Sequence, residues 1–169
     1  MQNEKLALFY FQVTDLWKRL CEEHTVLFDQ TCEEYSHLLS SELELLDNTL
    51  EVKVKTIEKI KGLEKLRSKV VNNINKQLPP DTQAISSITE LITYFQSFKV
   101  EREQKHLFRF NKLLLDIINK IQDQNKKNQI FINKALSSLK QIREDASGES
   151  SYPTYDQKGI SKDKTGSAR

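Results

Sequence analysis

The chain has 169 residues, 37% of them hydrophobic and 30% charged, which is enough for one ordinary domain with a modest core. Its 26 Lys and Arg residues nearly balance 24 Asp and Glu residues, for a formal net charge of +2. So small an excess excludes the strongly basic character of proteins that bind nucleic acid or anionic membranes through charge. No apolar run approaches the ~20 residues that span a bilayer, and the N-terminus lacks a signal-peptide cleavage pattern, so we expect a cytosolic protein.

Apolar residues recur at intervals of three and four near the N-terminus, and this spacing predicts a first helix over residues 4–39. Cys21 and Cys32 lie eleven residues apart on it, about 16 Å along the axis, which is too far for a disulfide between them. We therefore expect reduced, partly buried thiols. The apolar positions are Leu6, Phe9, Val13, Leu16, Leu20, Leu27 and Leu38.

A second helix is predicted over residues 43–75, after a turn near Ser40. Ser41 and Glu44 match a capping box, and Leu43, Leu46 and Leu50 begin a helical apolar pattern. Two adjacent prolines, at positions 79 and 80, then require a loop, because proline cannot donate a helical hydrogen bond.

The third helical segment is predicted over residues 87–143, and Ser87 with Glu90 forms another capping-box pair at its start. Between Lys99 and His106 the sequence is almost wholly polar, so we expect a kink or short break there. From Leu107 to Ile142 an apolar seam then continues for about five heptads, and such a seam needs a partner helix along its length.

The predicted fold is therefore all-α. It is an elongated antiparallel bundle of three long helices over residues 1–143, with coiled-coil-like packing. Residues 144–169 form a flexible tail, because Ile160 is the only aliphatic residue larger than Ala in this segment and cannot offset chain entropy. Tyr152 and Tyr155 in this tail suit docking into a pocket on a partner.

Polar residues interrupt the seam at its middle, at Gln124, Asn125 and Asn128. One interpretation is that they face solvent; another is that they fix helix register at some cost in stability. A third is that this half of the helix binds an amphipathic helix from another protein. In that case the binding residues are Asn125, Asn128, Phe131, Ile132, Leu136, Leu139 and Ile142.

The sequence offers little catalytic chemistry. Four scattered glycines cannot make a phosphate-binding loop. Two Glu-x-x-His pairs, Glu34 with His37 and Glu103 with His106, are half of the ligand set of a di-iron four-helix bundle. We expect no metal, no cofactor and no catalytic residue, and keep a di-iron enzyme and a self-associating coiled coil as alternatives.

Three motifs in order resemble the FlgN family of bacterial flagellar export chaperones. The first is Lys55-x-Ile57-x-x-Ile60-x-x-Leu63-Glu64-x-x-Arg67 in the second helix. The second is Asn125-x-x-Asn128-x-x-x-Ile132-x-x-x-Leu136, and the third is Tyr155-Asp156-x-x-Gly159 in the tail. Each motif is ordinary alone, but the three at these separations are considerably more specific, and the resemblance covers nearly the whole chain.

The resemblance implies a cytosolic, non-catalytic chaperone. Proteins of this kind bind the C-terminal helical segments of the hook-filament junction proteins, prevent premature assembly, and deliver them to the cytoplasmic domain of the flagellar type III export gate. By the resemblance, the substrate surface lies around Asn125, Asn128, Ile132, Leu136, Leu139 and Ile142. Tyr152 and Tyr155 become candidates for docking at the gate, with Tyr155 in the matching motif.

Overall fold

The computed structural model describes residues 2–148, and within that range every regular element is an α-helix. The chain divides into two compact units, Met1–Gln129 and Ile130–Arg169. No helix in the described part of the chain is long and apolar enough to cross a membrane. The helices are α1 (Gln2–Ser40), α2 (Leu43–Asn75), α3 (Ile88–Phe95), α4 (Lys99–Gln104) and α5 (His106–Ser147).

Helices α1 and α2 form an antiparallel hairpin. Glu34 of α1 pairs with Lys53 of α2 at 2.6 Å, and nearer the start of α1, Glu23 pairs with Lys59 at 4.0 Å. The predicted capping box is wrong here, because α2 begins after Glu42 and has no side-chain cap. Ser41 instead adopts a left-handed conformation, with φ of 58°, which turns the chain between the two helices.

The single third helix predicted over residues 87–143 is in fact three helices. The Ser87–Glu90 capping box is confirmed at the start of α3. A break separates α4 from α5 at Lys105, whose φ is 54°. The predicted break near residues 99–106 is therefore present, and α5 extends to Ser147, past the predicted end at residue 143.

Within the first unit α5 runs parallel to α1. The indole Nε1–H of Trp17 donates to Asn111 Oδ1 at 3.2 Å, and further along both helices, Asn128 Nδ2 donates to the carbonyl of Thr31 at 3.0 Å. Apolar side chains of α1, α2, α3 and α5 make one buried cluster. Its members include Tyr10, Val13, Leu16, Trp17, Leu20, Leu63, Ile74, Leu91, Phe95, Leu107, Leu114, Ile117 and Ile121.

A buried carboxylate fixes where α5 begins. Glu101 of α4 is 2% exposed. Its Oε2 accepts the hydroxyl hydrogen of Tyr10 at 2.8 Å and the backbone N–H of Leu107 at 2.9 Å, and its Oε1 accepts from the N–H of Phe108 at 3.1 Å. It thereby satisfies backbone donors that the first turn of a helix otherwise leaves unpaired.

Candidate functional site

An exposed apolar strip lies on the C-terminal part of α5, in the second unit. We define the terminal strip as Leu136, Leu139 and Ile142, which are 60%, 63% and 63% exposed. Their spacing of three residues, with Ile132 four residues before Leu136, puts them along one side of the helix. Ile132 and Phe131 are half-buried.

The strip continues a seam that is buried earlier in the same helix. Leu114, Ile117 and Ile121 lie in the core of the first unit, and the same intervals of three and four residues lead on to Leu139 and Ile142. Full burial of a Leu or Ile side chain is worth about 1.5–3 kcal/mol. A row of such side chains left in water is typical of a surface that binds a partner.

Asn128 does not lie on this exposed surface, so its predicted accessibility is wrong. It is 1% exposed, its Nδ2 donates to the Thr31 carbonyl at 3.0 Å, and its Oδ1 accepts from Gln124 Nε2 at 2.9 Å. The side chain thus belongs to the interior of the first unit, where it joins α5 to α1. Of the interpretations of the polar interruption, burial with a register-fixing hydrogen bond fits this position.

Asn125 is exposed but is held by a neighbouring ion pair. Its Oδ1 accepts from Lys53 Nζ at 3.3 Å, while the same Nζ donates to Glu34 Oε2 at 2.6 Å. Asn125 and Asn128 therefore form part of a polar layer that links α1, α2 and α5. Of the predicted site residues, those of the terminal strip are exposed apolar side chains, whereas Asn125 and Asn128 belong to the polar layer.

The polar layer contains Thr31 and Lys53, which sequence reasoning missed, and Glu34, which it considered only as a metal ligand. A signal was present, because the apolar pattern of α1 lapses at Gln30 and Thr31 just as the pattern of α5 lapses at Gln124. When two packed helices both have polar residues in place of apolar ones at the same level of the bundle, these residues indicate a shared polar layer. The sequence alone did not show which lapses face each other.

The residues in the two Glu-x-x-His pairs have other partners. Glu34 pairs with Lys53, His37 bonds to Glu42 at 3.3 Å, and Glu103 pairs with Lys99 at 3.9 Å. In residues 2–148 no group of three or more His, Cys, Asp and Glu side chains is arranged to hold a metal ion.

The two cysteines are free, as predicted, and Cys21 is buried while Cys32 is half-buried. The thiol of Cys21 donates to the carbonyl of Phe110 at 3.3 Å. Burial raises the pKa of both thiols, and the carboxylates of Glu22 and Asp29 add to the rise at Cys21 and Cys32 respectively. A raised thiol pKa disfavours the reactive thiolate at both positions.

The predicted docking residues Tyr152 and Tyr155 lie outside the described residues. Their role stays a prediction, as does the boundary between bundle and tail at residue 144.

A family model described as FlgN protein matches residues 9–161, a range that begins in α1 and includes the terminal strip. No curated protein and no solved structure matches the chain.

Proposed function

The chain belongs to the FlgN family, a family of flagellar export chaperones, and on that premise we propose that it binds the C-terminal helical segments of hook-filament junction proteins. It acts in the bacterial cytoplasm, without catalysis, cofactor, nucleic acid or insertion into a membrane. It keeps its substrates from assembling prematurely and delivers them to the cytoplasmic domain of the export gate. The exposed terminal strip is the single observation that best supports this function.

The terminal strip suits an apolar helix as its ligand. Such a helix would lay its own apolar side against Leu136, Leu139 and Ile142 and so keep both surfaces out of water. Burying three side chains yields about 1.5–3 kcal/mol each, and association itself consumes part of that gain. The resulting affinity is moderate. A chaperone that must later release its substrate requires such an affinity.

Asn125 and Asn128 enter this proposal indirectly. Both were predicted as substrate contacts, but Asn128 is buried and Asn125 bonds to Lys53. Within the first unit, Asn128 hydrogen-bonds α5 to α1 and Asn125 hydrogen-bonds α5 to α2. Phe131 and Ile132 complete the proposed substrate surface beside the terminal strip.

Calorimetric titration with the C-terminal segment of a junction protein from the same organism tests the proposal. The triple variant L136S/L139S/I142S should bind that segment at least about tenfold more weakly, because polar side chains forfeit the apolar contact. The matched control is L113S/L115S, which changes two leucines of α5 that are 47% and 52% exposed outside the strip. Equal affinity of the triple variant and the wild-type protein would contradict the proposal.

Docking at the gate is proposed for Tyr152 and Tyr155. In a pull-down with the cytoplasmic domain of the export gate, the double variant Y152A/Y155A should lose binding while it still binds the junction segment. The triple variant of the strip should show the reverse pattern. Each variant is therefore a control for the other, and loss of both activities in either one would count against separate surfaces.

A self-associating coiled coil is the second candidate function, because a second copy of the chain could also cover the terminal strip. Sedimentation velocity separates the two candidates. A stable dimer that dissociates in the triple variant, without any binding of the junction segment, would favour the coiled coil.

A further inference from the structure

A shallow pocket lies beside the break between α4 and α5, in the first unit. It has a volume of about 380 Å³. Phe108 is 50% exposed and Ile92 is half-buried, so the pocket offers apolar surface to a ligand. The residues that line this α4–α5 pocket are Ile92, Gln96, Glu101, Arg102, Lys105 and Phe108.

Two exposed cations line the same pocket as these apolar side chains. Arg102 and Lys105 are both exposed, and within residues 2–148 neither side chain has a carboxylate partner. Lys99 in the same helix differs, because it pairs with Glu103 at 3.9 Å. Cations without a partner beside an apolar surface complement a ligand that carries both negative charge and an apolar group.

The one carboxylate in the lining does not counter this charge at the surface. Glu101 is 2% exposed, and three hydrogen bonds, from Tyr10, Leu107 and Phe108, occupy its two oxygens. Arg102 and Lys105 are therefore the exposed charged side chains of the lining.

We propose that the α4–α5 pocket binds an acidic peptide segment that inserts one large apolar side chain. The apolar side chain would pack against Phe108 and Ile92, and carboxylates on either side of it would pair with Arg102 and Lys105. A nucleic acid fits less well, because its backbone calls for a row of cations, whereas this pocket has two cations together with apolar side chains. The pocket shares no residue with the terminal strip, and the proposal does not depend on the junction-protein substrate.

Fluorescence anisotropy with a labelled acidic peptide tests this proposal on the full chain. The probe is a Glu-rich peptide of about four helical turns with one central Phe. The variant R102E/K105E should weaken binding about tenfold, because attraction becomes repulsion at two positions. The variant R102Q/K105Q only removes the charges and should weaken peptide binding less. It also tests the role of these charges if R102E/K105E fails to fold.

A matched control makes the same charge change elsewhere. Lys65 and Lys69 are exposed on α2, so K65E/K69E should alter the affinity by less than about twofold. F108S and a probe with Ser in place of Phe should each reduce binding, and L136S/L139S/I142S should leave it intact. The proposal is overturned if the wild-type protein does not bind the probe, or if R102E/K105E and K65E/K69E have equal effects. It is also overturned if a single-stranded oligonucleotide binds more tightly than the peptide.

Discussion

Asn128 shows how one polar side chain can serve the packing of long helices. It occupies a seam position at which Leu or Ile would bury more apolar area, yet both ends of its amide are hydrogen-bonded, to Thr31 and to Gln124. The bond to Thr31 spans 97 residues of sequence. If α5 slid along α1, this hydrogen bond would break and the buried amide would be left unpaired. Asn128 therefore favours one register of α5 against α1 over the adjacent registers.

The substitution N128A should lower the free energy of unfolding by about 1–3 kcal/mol, because it removes one buried and one partly buried hydrogen bond and leaves Gln124 without its partner. Urea denaturation followed by circular dichroism measures the change. Asn125→Ala is the control, since Asn125 is exposed and its loss should cost less than about 0.5 kcal/mol. Equal destabilisation by the two substitutions would contradict the structural role given to Asn128.

At the scale of the element, the start of α5 depends on a side chain from another helix. The N–H groups of Leu107 and Phe108 donate to the buried carboxylate of Glu101, which also accepts from Tyr10 of α1. The hydroxyl of Tyr10 has a pKa well above its usual value because of burial, the hydrogen bond to Glu101 and the charge of that carboxylate. One acidic residue thus links α1, α4 and α5.

Glu101→Gln should destabilise the protein by about 2–3 kcal/mol. Three donors converge on two carboxylate oxygens, and an amide NH₂ would place a donor against a donor on one side. Glu103→Gln is the matched control, because Glu103 lies on the same helix and makes only an exposed pair with Lys99. Its effect should stay within about 0.5 kcal/mol. Thermal and urea unfolding of both variants give the comparison, and similar losses would refute the capping role.

At the scale of the whole molecule, the first unit contains the buried core and the second unit contains exposed side chains. The buried apolar cluster lies in the first unit. In the second unit every described residue from Asn133 to Gly148 is exposed. A segment with no buried side chain adds little to the free energy of folding. The apolar residues of that segment are therefore available for binding.

Three shortened chains test whether the exposed segment of the second unit contributes to stability. A chain that ends at Lys134 should unfold at nearly the same urea concentration as one that ends at Gly148, with a difference in stability below about 1 kcal/mol. The shorter chain should nevertheless lose binding to the junction segment, because it lacks the terminal strip. A third chain that ends at Asp123, without Asn128, should be clearly less stable. A large loss of stability on shortening from Gly148 to Lys134 would show that the strip supports the fold.

The sequence by itself determined the all-helical class, the main loop and the start of α3. Intervals of three and four residues predicted long helices, two prolines predicted the loop after α2, and Ser87 with Glu90 predicted the cap of α3. These features rest on local physics, since helix periodicity and capping involve residues within a few positions of each other. The family resemblance, carried by motifs from the second helix to the tail, was likewise a property of the sequence.

Only the tertiary structure decided which polar residues are buried and which apolar residues are exposed. Asn128 and Leu139 lie in the same predicted seam, yet Asn128 is 1% exposed and Leu139 is 63% exposed. Spacing along one helix shows that residues share a side of it, but whether that side is covered depends on partners distant in sequence. Glu101 makes the same point, because this buried carboxylate accepts a hydrogen bond from Tyr10, which lies 91 residues away.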